Sequence, residues 1–259
     1  MRSSLLTISI GCAALALLGG SVALGASASA PNRIPAIVEL AAASNARSLD
    51  GALIHERHIT IAVSAGPVHY REQNDAMLLM VGGEYERLRY TSVIENGKVL
   101  GATAVAQREA TTNRELQAGS GSFKQPFDKH FLHDYTYTSD VPCACSASEE
   151  AVRFQSIVRD DQHGDGTMRI DRATGRVLGV TYTPDVLPAH ANSCTTTESF
   201  AQVLPGVWTI DRIERSYRGH VAFFGGGGDV VESLDHFKSV GSPRAGLAYL
   251  HDIAQARLR

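Results

Sequence analysis

The feature that most limits the fold is a period-two alternation running through the second half of the chain. In "TMRID" (167–171) Met168 and Ile170 share one side, and Arg169 and Asp171 the other. In "RVLGVTYT" (176–183) Leu178, Val180 and Tyr182 share a side, as do Val152, Phe154 and Val158 in "AVRFQSIV" (151–158). Successive residues of a strand face opposite sides of a sheet, so each segment has one buried and one wet face, the mark of antiparallel pairing. "SFAQVLPGVWTIDRIERSYRGHVAFF" (199–224) carries the longest strand. Ile213, Tyr217, Val221 and Phe223 hold one parity there, with Arg215 the exception. Trp208 and Ile210 lie on the other parity, which calls for a bulge near Asp211–Arg212. The glycine run "GGGGD" (225–229) is expected to turn the chain into "VVESLDHFKSV".

Before these strands, "IPAIVELAAASNARS" (34–48) places Ile34, Ile37, Val38 and Ala41 at helical spacing behind Pro35. "LIHERHITIAV" (53–63) and "AMLLMVGGEYERLRYTSVI" (76–94) read as strands, with Gly82-Gly83 as a bend or bulge. Asn96-Gly97 is a hairpin signal. The pattern fades over 101–150, which reads equally as a lid or a connector, with room for a short helix near 104–116. The tail sets Leu247, Leu250, Ile253 and Leu258 along one helical stripe. The class is α+β: a large twisted antiparallel sheet with a covering helix near each end of the mature chain. The divisions are a leader (1–28), an N-terminal helix with the first strands (29–100), an irregular insertion or lid (101–150), and sheet plus C-terminal helix (151–259). Residues 29–259 are expected to form one domain.

The leader has Arg2 ahead of an apolar run and a small-residue A-x-A ending, the layout of a secretory signal cleaved near Ala28. A periplasmic or secreted protein is expected, with no further stretch able to span a membrane. Without Arg2, 23 of the 24 Lys+Arg face 27 Asp+Glu, a balance that argues against nucleic acid as partner. In an oxidising compartment Cys143, Cys145 and Cys194 should yield a disulfide. Cys143-Ala144-Cys145 looks too tight to bridge within itself, so Cys194 is expected to pair with one of the two. A three-thiolate zinc site is the alternative, although C-x-C is not the usual C-x2-C knuckle.

"DDQHGDGTMRIDRATGRVLGV" (160–180) looks at first like a metal loop. Read as an EF-hand begun at Asp161, its twelfth position is Arg172 where a bidentate glutamate belongs, so two hairpin turns are expected instead. His130, His133 and Asp134 lie close in sequence without the spacing of a zinc helix, and His55 and His58 fall on opposite strand faces. Structural or solvated histidines are the expectation for both pairs. There is no G-x-S-x-G elbow and no phosphate loop, so neither a catalytic residue nor a metal nor a cofactor is assigned.

"GTMRIDRATGRVLGVTYTPDVLP" followed by "VLPGVWTIDRIERSYRGHVAFFGGGGDVVESLDHFKSV" resembles exported bacterial proteins of the lipoprotein-carrier class, the LolA-like and RseB-like fold. The likeness covers roughly 150–240 and includes the "TGRVL" turn and the "PGVW" strand entry. It implies a half-open barrel closed by helices, with an apolar concavity. The expected role is therefore a non-enzymatic exported protein binding a lipid, a lipidated protein or another apolar ligand. Its lining residues would be Ile213, Tyr217, Val221, Phe223, Leu178, Val180 and Tyr182. An envelope interaction or sensor protein is the second class, and a hydrolase using a metal at His130, His133 and Asp134 the third. Oligomeric state is left open.

Overall fold

The computed structural model describes residues 33–48, 51–118, 123–139, 141–187, 191–221 and 224–257. The leader and Phe223 lie outside them. Helix α1 (Ala36–Ser48) starts behind Pro35, whose carbonyl accepts from the Val38 and Glu39 amides. Then come β1 (Ala52–Ala65), β2 (Val68–Val81), β3 (Glu84–Glu95), β4 (Lys98–Val99) and helix α2 (Ala102–Gln117). The second run is β5 (Tyr135–Thr138), β6 (Glu149–Ser156), β7 (Gly164–Asp171), β8 (Val177–Pro184), β9 (Ala191–Leu204), β10 (Val207–Val221) and β11 (Phe224–Ser239). Helix α3 (Pro243–Arg257) ends it. No described helix is long and apolar enough to cross a membrane.

Among the described residues the eleven strands form one open antiparallel sheet, ordered β4-β3-β2-β1-β11-β10-β9-β8-β7-β6-β5. The chain meanders out to one edge, restarts at the other and returns, so its last strand pairs with its first. This explains the long irregular segment: residues 100–134 have to carry the chain from β4 to β5, across a face of the sheet. The sheet curls around that face. Residues of β5 to β9 share one core cluster with α1 on that face, with Trp208 and Ile210 of β10 packed against it.

Several local expectations are met. The bulge falls between Ile210 and Arg212. Asn96 and Gly97 turn with φ of 50° and 79°, the left-handed pair such a hairpin needs. The helix expected near 104–116 is α2.

Others are corrected. Gly82 and Gly83 (φ 58° and 89°) reverse the chain between two full strands instead of bending one. The expected long strand is two, β9 and β10, joined at Pro205–Gly206. Of the two turns expected in 160–180, the first falls before β7, at 157–163, and Asp165-Gly166 lies inside that strand. The glycine run is not a turn: Gly225–Gly228 are paired residues of β11. Side chains on Gly226, Gly227 and Gly228 would strike neighbours, as a Cβ on Gly228 would meet the Tyr217 ring. The glycines let cross-strand side chains lie flat.

The cysteine expectation is also overturned. Cys143 and Cys145 are joined to each other, with Cα atoms 5.2 Å apart, inside the span a disulfide tolerates. Cys194 is a buried free thiol on β9. Three strand spacings, ~14 Å, separate β9 from β6, the strand that follows the C-x-C turn, so Cys194 cannot reach it.

Candidate functional site

Directly opposed residues share a face of the sheet. One row therefore runs Phe154, Gly166, Tyr182, Thr196, Arg215, Val230, Ile61, Glu72, Glu95 across nine strands. The next runs Val152, Met168, Val180, Glu198, Ile213, Glu232, Ile59, Asn74, Val93. These rows are the concave face: apolar at one end, polar through the middle, and mixed on the first strands.

Its β5–β8 end is sealed core. Val38 and Ala41 of α1 pack against Met168, Ile170, Val177, Val180 and Phe200 there. The segment ahead of β5 closes the rest, with Phe123 stacked on Tyr182 at 3.6 Å and Phe127 edge-on to Phe200. On the other side α2 brings Val105 and Leu116 onto Leu78, Leu88, Tyr90 and Val93. Helix α3 lies on the convex face, where Leu250 packs with Ile54, Met77 and Leu79. The terminal helices thus cover opposite faces, not the same one.

Between the two apolar ends runs a band of charge, buried at Glu198, Glu232 and Glu72, half-buried at Arg57 and exposed at Arg215. Arg57 and Glu232 make a two-point ion pair, Nε–Oε1 2.8 Å and Nη2–Oε2 2.9 Å. Burial opposes the charge on Arg57, but Glu232 outweighs it and the pKa is raised. Glu198 accepts from Gln125 Nε2 at 2.6 Å and from the Tyr182 hydroxyl at 3.2 Å. Burial lifts its pKa to about 7, with Glu232 pushing the same way against those bonds and Arg215. Arg215 Nε donates to Thr196 Oγ1 at 3.2 Å. Farther along, Glu72 takes Arg108 at 2.8 Å and Asn74 Nδ2 at 2.8 Å. His55 is fully buried, stacked between Tyr85 and Phe237, and among the described residues neither ring nitrogen has a hydrogen-bond partner. Burial and then Arg57 lower its pKa to about 4.

The free ends of the β1–β2 and β10–β11 hairpins leave part of the concave face uncovered. Ile61, Val63, Val230, Ile213 and Tyr217 are each half-buried there, and none belongs to a core cluster. An open cleft of about 600 Å³ lies at the hairpin ends, lined by Val63, Tyr70, Gly226 and Gly228 of this face and by Ala62, Ser64, His69, Arg218, Gly227 and Asp229 of the other, so that of these five apolar residues Val63 alone reaches it.

The expected lining set is therefore divided. Ile213 and Tyr217 lie on this open stretch, with Arg215 between them. Val180 and Tyr182 are 1% and 6% exposed within the sealed end. Leu178 leaves the set, because a register shift brings Val177, not Leu178, into line with Val180. Val221 ends β10.

The aspartate-rich stretch is structural. His163, 1% exposed, holds Asp160 at 2.6 Å and Asp134 at 3.3 Å, tying the segment before β5 to β7. Asp165 accepts the Ser156 amide, and Asp171 accepts the amide and hydroxyl of Thr174. Asp160, Asp165 and Asp171 each serve a turn or a neighbour. His130 and His133 are exposed while Asp134 turns to His163, so the three do not converge.

Sequence reasoning passed over Glu198 and Glu232. Their signal was present: each is a carboxylate at the buried parity, two residues from Phe200 and from Val230 and Leu234 respectively.

The fold is a curled, open antiparallel sheet with helices on both faces. No family model and no curated protein matches the chain. Among solved structures it is similar to a LolA superfamily protein from Nitrosomonas europaea, at 13% identity over 80% of this chain and 94% of that one, TM-score 0.35. A DUF1329 family protein from Desulfovibrio piger is 10% identical over 79% and 92%, TM-score 0.36. A chain of the MucA/MucB complex of Pseudomonas aeruginosa is 10% identical over 78% and 98%, TM-score 0.22.

Proposed function

We propose that the protein is an exported, non-enzymatic binding protein for an amphipathic ligand, a lipid or a lipidated protein. The apolar part lies on Ile61, Val63, Ile213, Tyr217 and Val230, and the polar end faces the band of Arg57, Glu232, Arg215 and Glu198. The observation that supports this is the uncovered stretch of the concave face, where Ile61, Val63, Ile213, Tyr217 and Val230 are half-exposed and outside every core cluster. The sealed β5–β8 end serves as core, so the ligand surface is shorter than the whole concavity.

Native mass spectrometry of the purified protein should find a co-purified lipid, and a fluorescent fatty acid should bind with one-to-one stoichiometry. Val63→Glu with Val230→Glu places two charges on the apolar track and should weaken that binding at least about tenfold, the equivalent of 1.4 kcal/mol. Both sites are half-exposed, so the melting temperature should move little. No co-purified lipid and no acyl binding, or equal binding by the variant, would overturn the proposal.

A further inference from the structure

On the convex face three adjacent strands bring together Glu56 and His58 of β1, Asp75 of β2, and Asp235 and His236 of β11. We propose that this cluster binds one divalent transition-metal ion of the zinc class, held by His236 Nδ1, Glu56 Oε2 and Asp235 Oδ1, with His58 Nε2 joining as the fourth ligand by a side-chain adjustment on binding.

The separations fit. Asp235 Oδ1 lies 3.0 Å from His236 Nδ1 and 3.3 Å from His58 Nε2. Glu56 Oε2 lies 3.3 Å from His236 Nδ1 and 3.8 Å from His58 Nε2. Tetrahedral coordination with zinc bonds of about 2.0–2.1 Å sets its ligand atoms roughly 3.3 Å apart. The same two oxygens face both nitrogens from opposite sides, with His58 lying just outside the set that already converges. Glu56, Asp235 and His236 alone already offer three ligand atoms within 4.8 Å of one another.

The backbone is shaped for this convergence. In a regular strand Asp235 and His236 would point to opposite faces. Here β11 carries an extra residue opposite His55, since Ile54 pairs with Lys238 and Glu56 with Asp235. His236 adopts φ 49°, a left-handed conformation uncommon for a residue with a side chain. The bulge turns both side chains outward and returns Phe237 inward to His55.

Asp75 adds the support a metal-bound histidine usually has. Its Oδ1 lies 2.7 Å from His58 Nδ1. A carboxylate only accepts, so Nδ1 carries the hydrogen and Nε2 presents its lone pair to the centre. Three carboxylates meet here, and among the described residues no lysine or arginine pairs with them. Two imidazole nitrogens beside carboxylates select zinc-type ions over calcium or magnesium, which favour all-oxygen sites. The ion would staple the first strand to the last. Because the cluster lies on the face opposite the groove, it stands or falls independently of ligand binding there.

The test uses chelator-treated protein without a histidine tag, titrated calorimetrically with zinc chloride and, separately, cobalt chloride. One ion per chain is expected, with the strong visible absorption of four-coordinate cobalt and a zinc-dependent rise in melting temperature. His236→Asn, which keeps a residue tolerant of the left-handed backbone, and Asp235→Asn should each weaken binding more than tenfold and remove the thermal shift. Asp75→Asn should weaken it roughly tenfold. His133→Ala, an exposed histidine elsewhere, should change nothing. Absence of stoichiometric binding, or affinity indifferent to His236→Asn and Asp235→Asn, would overturn the proposal.

Discussion

Glu198 shows how one residue can carry a pH dependence into this fold. Its carboxyl is buried at the middle of the concave face, and its pKa is raised to about 7. The folded state therefore holds the proton more tightly than the unfolded chain, where the group titrates near 4.5. Its contribution to stability is complete below about pH 4.5 and is lost as pH rises through 7. Over that window the loss is about 3 kcal/mol, at 1.36 kcal/mol per unit. His55 works in the opposite sense: with its folded pKa lowered to about 4, stability is lost as pH falls from about 6.5. A single variant separates the two. Glu198→Gln should leave the protein near wild-type stability at pH 5 and make it about 3 kcal/mol more stable than wild type at pH 8. Urea unfolding at both pH values measures this, and a constant difference between variant and wild type would refute it.

Among the elements, α2 does a job that a strand would otherwise do. β4 pairs with β3 only through Ile94–Val99 and Glu95–Lys98, which leaves much of β3 a free edge. Asn113 covers part of it: its Oδ1 accepts the Leu88 amide at 2.7 Å and its Nδ2 donates to the Leu88 carbonyl at 2.9 Å. Glu109 accepts the Tyr90 amide at 3.2 Å and pairs with Arg89. A buried asparagine in mid-helix is a poor choice for helix propensity, and it makes sense only as a stand-in for a neighbouring strand. Asn113→Leu leaves two buried backbone groups unpaired and should cost about 2–4 kcal/mol. Hydrogen exchange at Leu88 should accelerate before global unfolding. Unchanged protection there would mean that α2 is held by its apolar contacts alone.

For the molecule as a whole, the return of β11 to β1 decides everything else. It forces 100–134 to cross the concave face and leaves α3 to cover the convex one. Without α3, Ile54, Met77 and Leu79 would lose their cover. A contiguous apolar patch of a few hundred Å² or more is unusual on a soluble monomer. A chain ending at Ser242 should therefore self-associate in sedimentation velocity and bind a hydrophobic dye that the full chain excludes. A monomeric truncation with unchanged melting would show that α3 is dispensable.

The local grammar was legible in the amino-acid order. Period-two runs in β6, β7 and β8, the Asn96-Gly97 turn, the bulge near Asp211 and both terminal helices depend on near neighbours alone and define the α+β class. Val158, however, set on the face of Val152 and Phe154, falls in the turn after β6 and is exposed. Partners distant in sequence were not legible. Cys194 reads as a partner for Cys143 or Cys145 because nothing local says that three strand spacings separate its strand from the one that follows them. The glycine run reads as a turn, since glycine serves a tight reversal and a close cross-strand approach equally well. Leu178 and Val180 were placed on one face because a register shift moves a parity without changing its letters. The charge band and the His58–His236 cluster were missed for the same reason. Each is assembled from three or more strands, and only the register of a curled sheet brings such residues within reach of one another.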